Sequence, residues 1–158
     1  MKHRTATRLL AAAALALSAT LAMAADDPAP RPAGDKLAAA RALIADNKWV
    51  AAIDELKKVG DSGSADWNNL MGYSHRKART PDYAAAERYY TEALRIDAGH
   101  KGALEYSGEL YLMLGNLARA EERLAALDKA CRASCEEYKD LKAEIERFKA
   151  AGNKFVPK

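Results

Sequence analysis

The sequence lacks the residue patterns that run the common chemistries. It has no Ser-His-Asp set, no glycine loop of the kind that cradles phosphate, and no H-E-x-x-H zinc pair. Cysteine is nearly missing: only Cys131 and Cys135 occur in 158 residues. Their C-x-x-x-C spacing is neither the C-x-x-C of a redox motif nor the C-x-x-C-H of haem attachment. Two sulfurs with no further ligand nearby argue against a metal site, since His75 and His100 stand apart from them and from each other. His75 reads better as a packed side chain, and the pairs Glu105/Glu109 and Glu121/Glu122 as solvated helix charges, than as acids or bases. The expectation is a protein without catalysis, cofactor or metal.

A long hydrophobic run is also lacking. The stretch Leu9 to Leu21, mostly Ala and Leu, has 13 residues, whereas a membrane span needs about 20. Lys2, Arg4 and Arg8 precede or open it, and Ala22-Met23-Ala24 follows it with the A-x-A pattern of a cleavage site. Residues 1–24 therefore read as a secretory signal peptide. Position 25 is alanine rather than cysteine, so no lipid anchor is indicated. Export is expected, with the periplasm as the compartment and no membrane span once the leader is removed.

Net charge is lacking too once that leader is set aside. The chain has 25 Lys and Arg against 22 Asp and Glu. Removing Lys2, Arg4 and Arg8 leaves 22 of each sign in the remaining 134 residues. A nucleic-acid partner calls for a basic surplus on one face, and none is expected here. The remaining length suits one small domain.

What the sequence does have is a repeat. Tyr83, Ala86, Tyr90 and Ala93 are spaced to form one stripe on a helix. The same stripe appears 34 residues earlier as Trp49, Ala52, Leu56 and Val59, and 34 later as Leu117, Ala120, Leu124 and Leu127. A second helical run precedes each stripe, with a small residue at a comparable point: Ala40, Gly72 and Gly108. These small residues, with Ala52, Ala86 and Ala120, mark where paired helices approach closely. Over roughly Asp35 to Asp128 the chain resembles the tetratricopeptide repeat family, whose helix pairs recur at this period. The proline that usually closes each repeat is absent, and Trp67 sits about one position from the expected aromatic.

The resemblance implies an all-α fold: a right-handed α-solenoid of three antiparallel helix pairs plus a C-terminal capping helix. In order, residues 25–34 form a flexible Pro-rich linker and 35–152 the repeat domain. The repeats span about 35–62, 64–99 and 101–130. Asp35, Asn47, Ser64 and Thr80 before Pro81 are candidate helix caps, and Gly60 and Gly115 are stops. The capping helix, 134–151, opens on the capping box of Ser134 and Glu137 and carries the stripe Tyr138, Leu141, Ile145 and Phe148. Repeat arrays need such an end helix to cover their last core surface. The tail, 153–158, should fray.

An oxidising compartment and a turn at 132–134 make a Cys131–Cys135 disulfide the expected state of the two cysteines. In tetratricopeptide proteins the first helix of each repeat lines a groove. Carried over by register, that groove takes Leu37, Arg41 and Ile44, then Asn69, Tyr73, Arg76 and Lys77, then Glu105, Glu109, Leu112 and Met113. Arg76 and Lys77 would meet acidic or carbonyl groups of a bound peptide, and Glu105 and Glu109 basic ones. Tyr73, Leu112 and Met113 would be its apolar anchors. The family's clamp for acidic chaperone peptides is unsupported, because Leu37, Arg41, Glu105 and Glu109 stand where it needs Lys, Asn and basic residues. The implied function is an adaptor that binds another protein or an extended peptide. Two alternatives stay open: a thiol-linked protein using the cysteine pair, and a structural subunit whose groove is filled by its own N-terminal tether or by a second copy in a homo-oligomer.

Overall fold

The structure, a computed structural model, describes residues 34–132 and 135–157. The expected leader, all of the linker before Gly34, and Ser134 lie outside the described residues. Seven helices and no strand occur among them: α1 (Ala38–Ala45), α2 (Trp49–Val59), α3 (Ala65–Lys77), α4 (Tyr83–Ile96), α5 (Lys101–Met113), α6 (Leu117–Cys131) and α7 (Glu136–Ala150). The helices pack as consecutive pairs, α1 with α2, α3 with α4 and α5 with α6. Each pair stacks on the next, and α7 closes the array against both α5 and α6. This is an all-α, tetratricopeptide-like solenoid. No described helix is long and apolar enough to cross a membrane.

Small residues let the helices meet. Ala40, Ala52, Ala86 and Ala120 are fully buried. A methyl group placed on Gly72 would stand 2.7 Å from the Tyr90 ring, and one on Gly108 2.5 Å from Leu141. Both distances are shorter than carbon atoms tolerate, so the helix crossings α3/α4 and α5/α7 depend on the missing side chains. Tyr90 and Leu141 fill the space those glycines leave, at 1% and 0% exposure.

The core is built repeat by repeat. Leu37, Ala40, Ile53, Leu56, Trp67, Leu70 and Met71 form its first section, with Ile44 packed on the edge. The Trp67 indole also donates to the Leu56 carbonyl at 2.7 Å, so the aromatic shifted by one position is a core residue with its polar edge satisfied. Ala86, Tyr90, Ala93, Ala103 and Leu110 make the middle. At the far end Leu104, Tyr111, Leu112 and Leu127 pack against Leu141, Ile145 and Phe148 of α7.

The caps follow the sequence in part. Ser64 Oγ accepts from the Trp67 amide at 3.2 Å, and Gly60 and Gly115 take the left-handed backbone expected of stops. Asp35 acts three residues before α1, where its carboxylate accepts from the Leu37 amide at 2.9 Å and its carbonyl from Ala38. Asn47 is no cap. It adopts φ 59°, a left-handed turn that asparagine tolerates, and Lys48 precedes α2 without a side-chain cap bond. Thr80 and Pro81 also lie outside α4, because Asp82 accepts from the Ala85 amide at 2.8 Å and starts the helix there. The first turn of α7 follows Cys135, which makes no side-chain cap bond; the capping box expected of Ser134 and Glu137 lies outside the described residues.

The tail departs most from expectation. After α7 the chain turns through Gly152 and Asn153, both at positive φ, and Phe155 packs on the core section shared by α5, α6 and α7. An aromatic side chain with an apolar surface within reach docks instead of fraying. Cys131 and Cys135 are joined by a disulfide across the α6–α7 turn, with their α-carbons 5.5 Å apart.

Candidate functional site

A cleft of about 430 Å³ opens along α3 and α5 and is walled by α7 and the tail. Its lining includes Tyr73, Arg76 and Lys77 of α3, and Glu105, Tyr106, Glu109 and Met113 of α5. Glu144, Phe155 and Pro157 complete it. The α3 and α5 contributions recur three or four residues apart, which sets them on one face of each helix.

The floor of the cleft is preorganised. Arg76 and Glu109 form an ion pair at 2.7 Å, with side chains 6% and 15% exposed. The Arg76 guanidinium also lies 5.4 Å from the Tyr73 ring centre and 5.6 Å from that of Tyr106, and Nη1 approaches the Met113 sulfur at 3.9 Å. A planar guanidinium between two rings and a carboxylate is held from several sides. The rings continue as a ladder: Tyr73 and Tyr106 are 4.6 Å apart, and Trp49 meets Tyr73 edge-on at 5.7 Å. Lys77 Nζ leans over Trp49 at 5.9 Å. Aromatic steps on three helices, α2, α3 and α5, thus run across the array.

Charge is unevenly distributed. Glu105 is only 8% exposed, and its carboxyl is pushed up to about 8 by burial, then by the neighbouring Glu109, Asp140 and Glu137, against a smaller opposing pull from Arg76. Burial, and then the charge on Glu105, likewise push the Tyr106 hydroxyl up to about 12. A smaller hollow of about 200 Å³ continues from Glu105 and Tyr106 toward Glu136, Glu137 and Asp140 of α7. Among the described residues, no three His, Cys, Asp or Glu side chains could hold a metal ion.

Of the residues assigned to a groove by register, Tyr73, Arg76, Lys77, Glu105, Glu109 and Met113 line this cleft. Five others do not. Leu37 is in the first core section, and Ile44 packs beside it. Arg41 is spent on Asp66 at 3.0 Å and Asp35 at 3.4 Å. Asn69 is buried under the start of α5, where its amide faces Gly102. Leu112 is 1% exposed, because α7 stacks on α5 and covers the face that register alone leaves open. Arg76 is likewise engaged by Glu109 rather than offered to a ligand.

Residues 81–145 match the tetratricopeptide repeat family model. The match runs from the approach to α4 through most of α7, so the tetratricopeptide pattern extends over both the α5 wall of the cleft and the end helix. No curated protein matches the chain.

Tyr106, Glu144, Phe155 and Pro157 are cleft residues that register did not assign. Tyr106 could have been found, since it follows Glu105 and lies three residues before Glu109 on the same turn of α5. Phe155 and Pro157 carry no periodicity and could not. His75, passed over as structural, stacks on Tyr89 at 5.5 Å outside the cleft, and burial lowers its pKa.

Proposed function

We propose that this protein is a non-catalytic adaptor that holds an extended segment of another protein in the cleft between α3, α5 and the tail. The observation that carries this reading is the pair of rings Tyr73 and Tyr106, held by Arg76, lining the cleft and continued by Trp49 on α2. Rigid aromatic steps give large contact area at little entropic cost, and such residues dominate interface energies. The tetratricopeptide match over residues 81–145 supports it, because these repeats generally mediate protein–protein interaction.

The reading includes export by the leader and an oxidising compartment, with which the disulfide agrees. The crosslink ties α6 to α7 and serves the fold in this proposal, not electron transfer. The test is capture of partners by the purified protein, followed by affinity measurement with Tyr73→Ala after circular dichroism shows it folded. Losing one such anchor costs about 2 kcal/mol, close to thirtyfold in affinity. Undiminished affinity in folded Tyr73→Ala, with affinity lost on changing Glu87 and Arg88 of α4, would put the binding surface elsewhere.

A further inference from the structure

We infer that the α5–α7 end of the cleft is a seat for one basic side chain, arginine or lysine, of the bound segment, with Glu105 as its counter-ion. This rests on the reading that a segment lies in the cleft.

Glu105 is the unusual group. Its side chain is more than nine-tenths buried, yet it has no hydrogen bond or ion pair among the described residues, and it lines both the main cleft and the smaller hollow. Every charged group facing it bears on the question. From α3 comes Arg76, whose charge is already taken by Glu109 of α5 at 2.7 Å. From α7 come Glu136, Glu137 and Asp140 in the hollow, and Glu144, which pairs with Arg147 at 3.0 Å. Tyr73 and Tyr106 supply rings, and Phe155 and Pro157 of the tail bring no charge. Lys77, the other cation among the described lining residues, stands over Trp49 on the side toward α2. Among the described residues, the end next to α7 therefore presents carboxylates with no cation paired to Glu105.

A buried carboxyl without a counter-ion is held neutral by a proton, which is why Glu105 titrates near 8. A guanidinium or ammonium entering the hollow would supply the missing charge and favour the ionised form. The hollow, about 200 Å³, has room for one side-chain head, and the Tyr106 ring beside it offers a face on which a cation is stabilised.

The experiment is selection of random twelve-residue peptides displayed on phage against the purified protein. Synthetic copies of the winners are then titrated against Glu105→Gln, Asp140→Asn, Tyr73→Ala and the exposed control Glu122→Gln. The expected pool is enriched in Arg or Lys at one position. Affinity should fall about tenfold or more with Glu105→Gln, less with Asp140→Asn, and not at all with Glu122→Gln. Calorimetry at pH 7 in two buffers of different ionisation heat should show proton release on binding, lost in Glu105→Gln. Glutamine keeps the shape of the neutral glutamic acid, so that variant is expected to fold. Winners with no basic preference that still weaken with Tyr73→Ala would overturn the basic seat and leave the cleft reading standing. An empty pool, or winners indifferent to both Tyr73 and Glu105, would overturn both.

Discussion

At the scale of single residues, two buried ionisable groups in one cleft behave oppositely. Glu105 has a raised pKa in the folded state, so the folded protein holds its proton more tightly than the unfolded chain does. Its contribution is fully present below the ordinary glutamate range and is lost as pH rises to about 8 and beyond. Glu105→Gln should therefore flatten the fall in stability between pH 5 and 9. At pH 8.5 its melting temperature should exceed the parent's by roughly 3 to 6 °C, the size of about 1 kcal/mol in a small domain. An unchanged pH profile would show that the carboxyl is solvated. Arg76 is the reverse case, a buried charge that is paired. Arg76→Ala should cost about 3 kcal/mol, because it breaks a buried ion pair. Arg95→Ala, which breaks the exposed, solvent-screened pair with Glu92, should leave the denaturation midpoint nearly unchanged. Equal denaturation midpoints for the two variants would contradict this. Neither role was legible in the sequence, where Arg76 and the pair Glu105 and Glu109 are simply charges on the faces of two different helices. Whether such charges meet each other or a ligand depends on what packs opposite, which spacing does not contain.

At the scale of the element, spacing was enough. A period fixed by Trp49, Tyr83 and Leu117, with a small residue before each stripe, places every helix pair, because a pair can bury its apolar face only against its neighbours. The small residues then become the sensitive positions. Gly72→Ala gains helix propensity of about 1 kcal/mol, but its methyl would meet the fully packed Tyr90 ring at 2.7 Å. Overpacking of this kind costs about 1 to 3 kcal/mol, so the net effect should be neutral at best and destabilising if the ring cannot yield. Ala86→Leu, with more volume and no propensity gain, should fall by the full amount. Urea midpoints at or above the parent's for Ala86→Leu would mean that α3 and α4 do not cross where they are described. Helix ends were less legible than helix faces. Asn47 and Thr80 look like caps, yet a turn can use asparagine for a left-handed backbone, and Asp82, two residues past Thr80, makes the cap bond of α4. Leu112 was misread for a related reason. Register describes a repeat with a neighbour on each side, and at the end of the array that neighbour is α7.

At the scale of the whole repeat unit, α7 carries two duties at once. It covers Leu104, Tyr111, Leu112 and Leu127, and it brings Asp140, Glu144 and the docked Phe155 to the cleft. The disulfide and the Lys149–Glu121 ion pair at 2.6 Å tie it to α6 at opposite ends. Of these the ion pair is exposed and weak, so the crosslink is the stronger restraint. Closing so short a loop stabilises by about 2 kcal/mol on the chain-entropy account. Stability in a repeat array passes from neighbour to neighbour, so the loss on reduction should be graded along the chain rather than uniform. Changing both Cys131 and Cys135 to serine should lower the melting temperature by several degrees. Amide exchange should quicken most in α7, less in α5 and α6, and hardly at all in α1 and α2. Because Phe155 reaches the cleft only through α7, peptide affinity should fall in the same variant even though no cleft side chain has changed. Oxidised and serine-substituted proteins with the same exchange in α7 would mean that core packing alone holds the end helix. Faster exchange in α7 with undiminished affinity would mean that α3 and α5 bind without the wall that α7 and the tail provide.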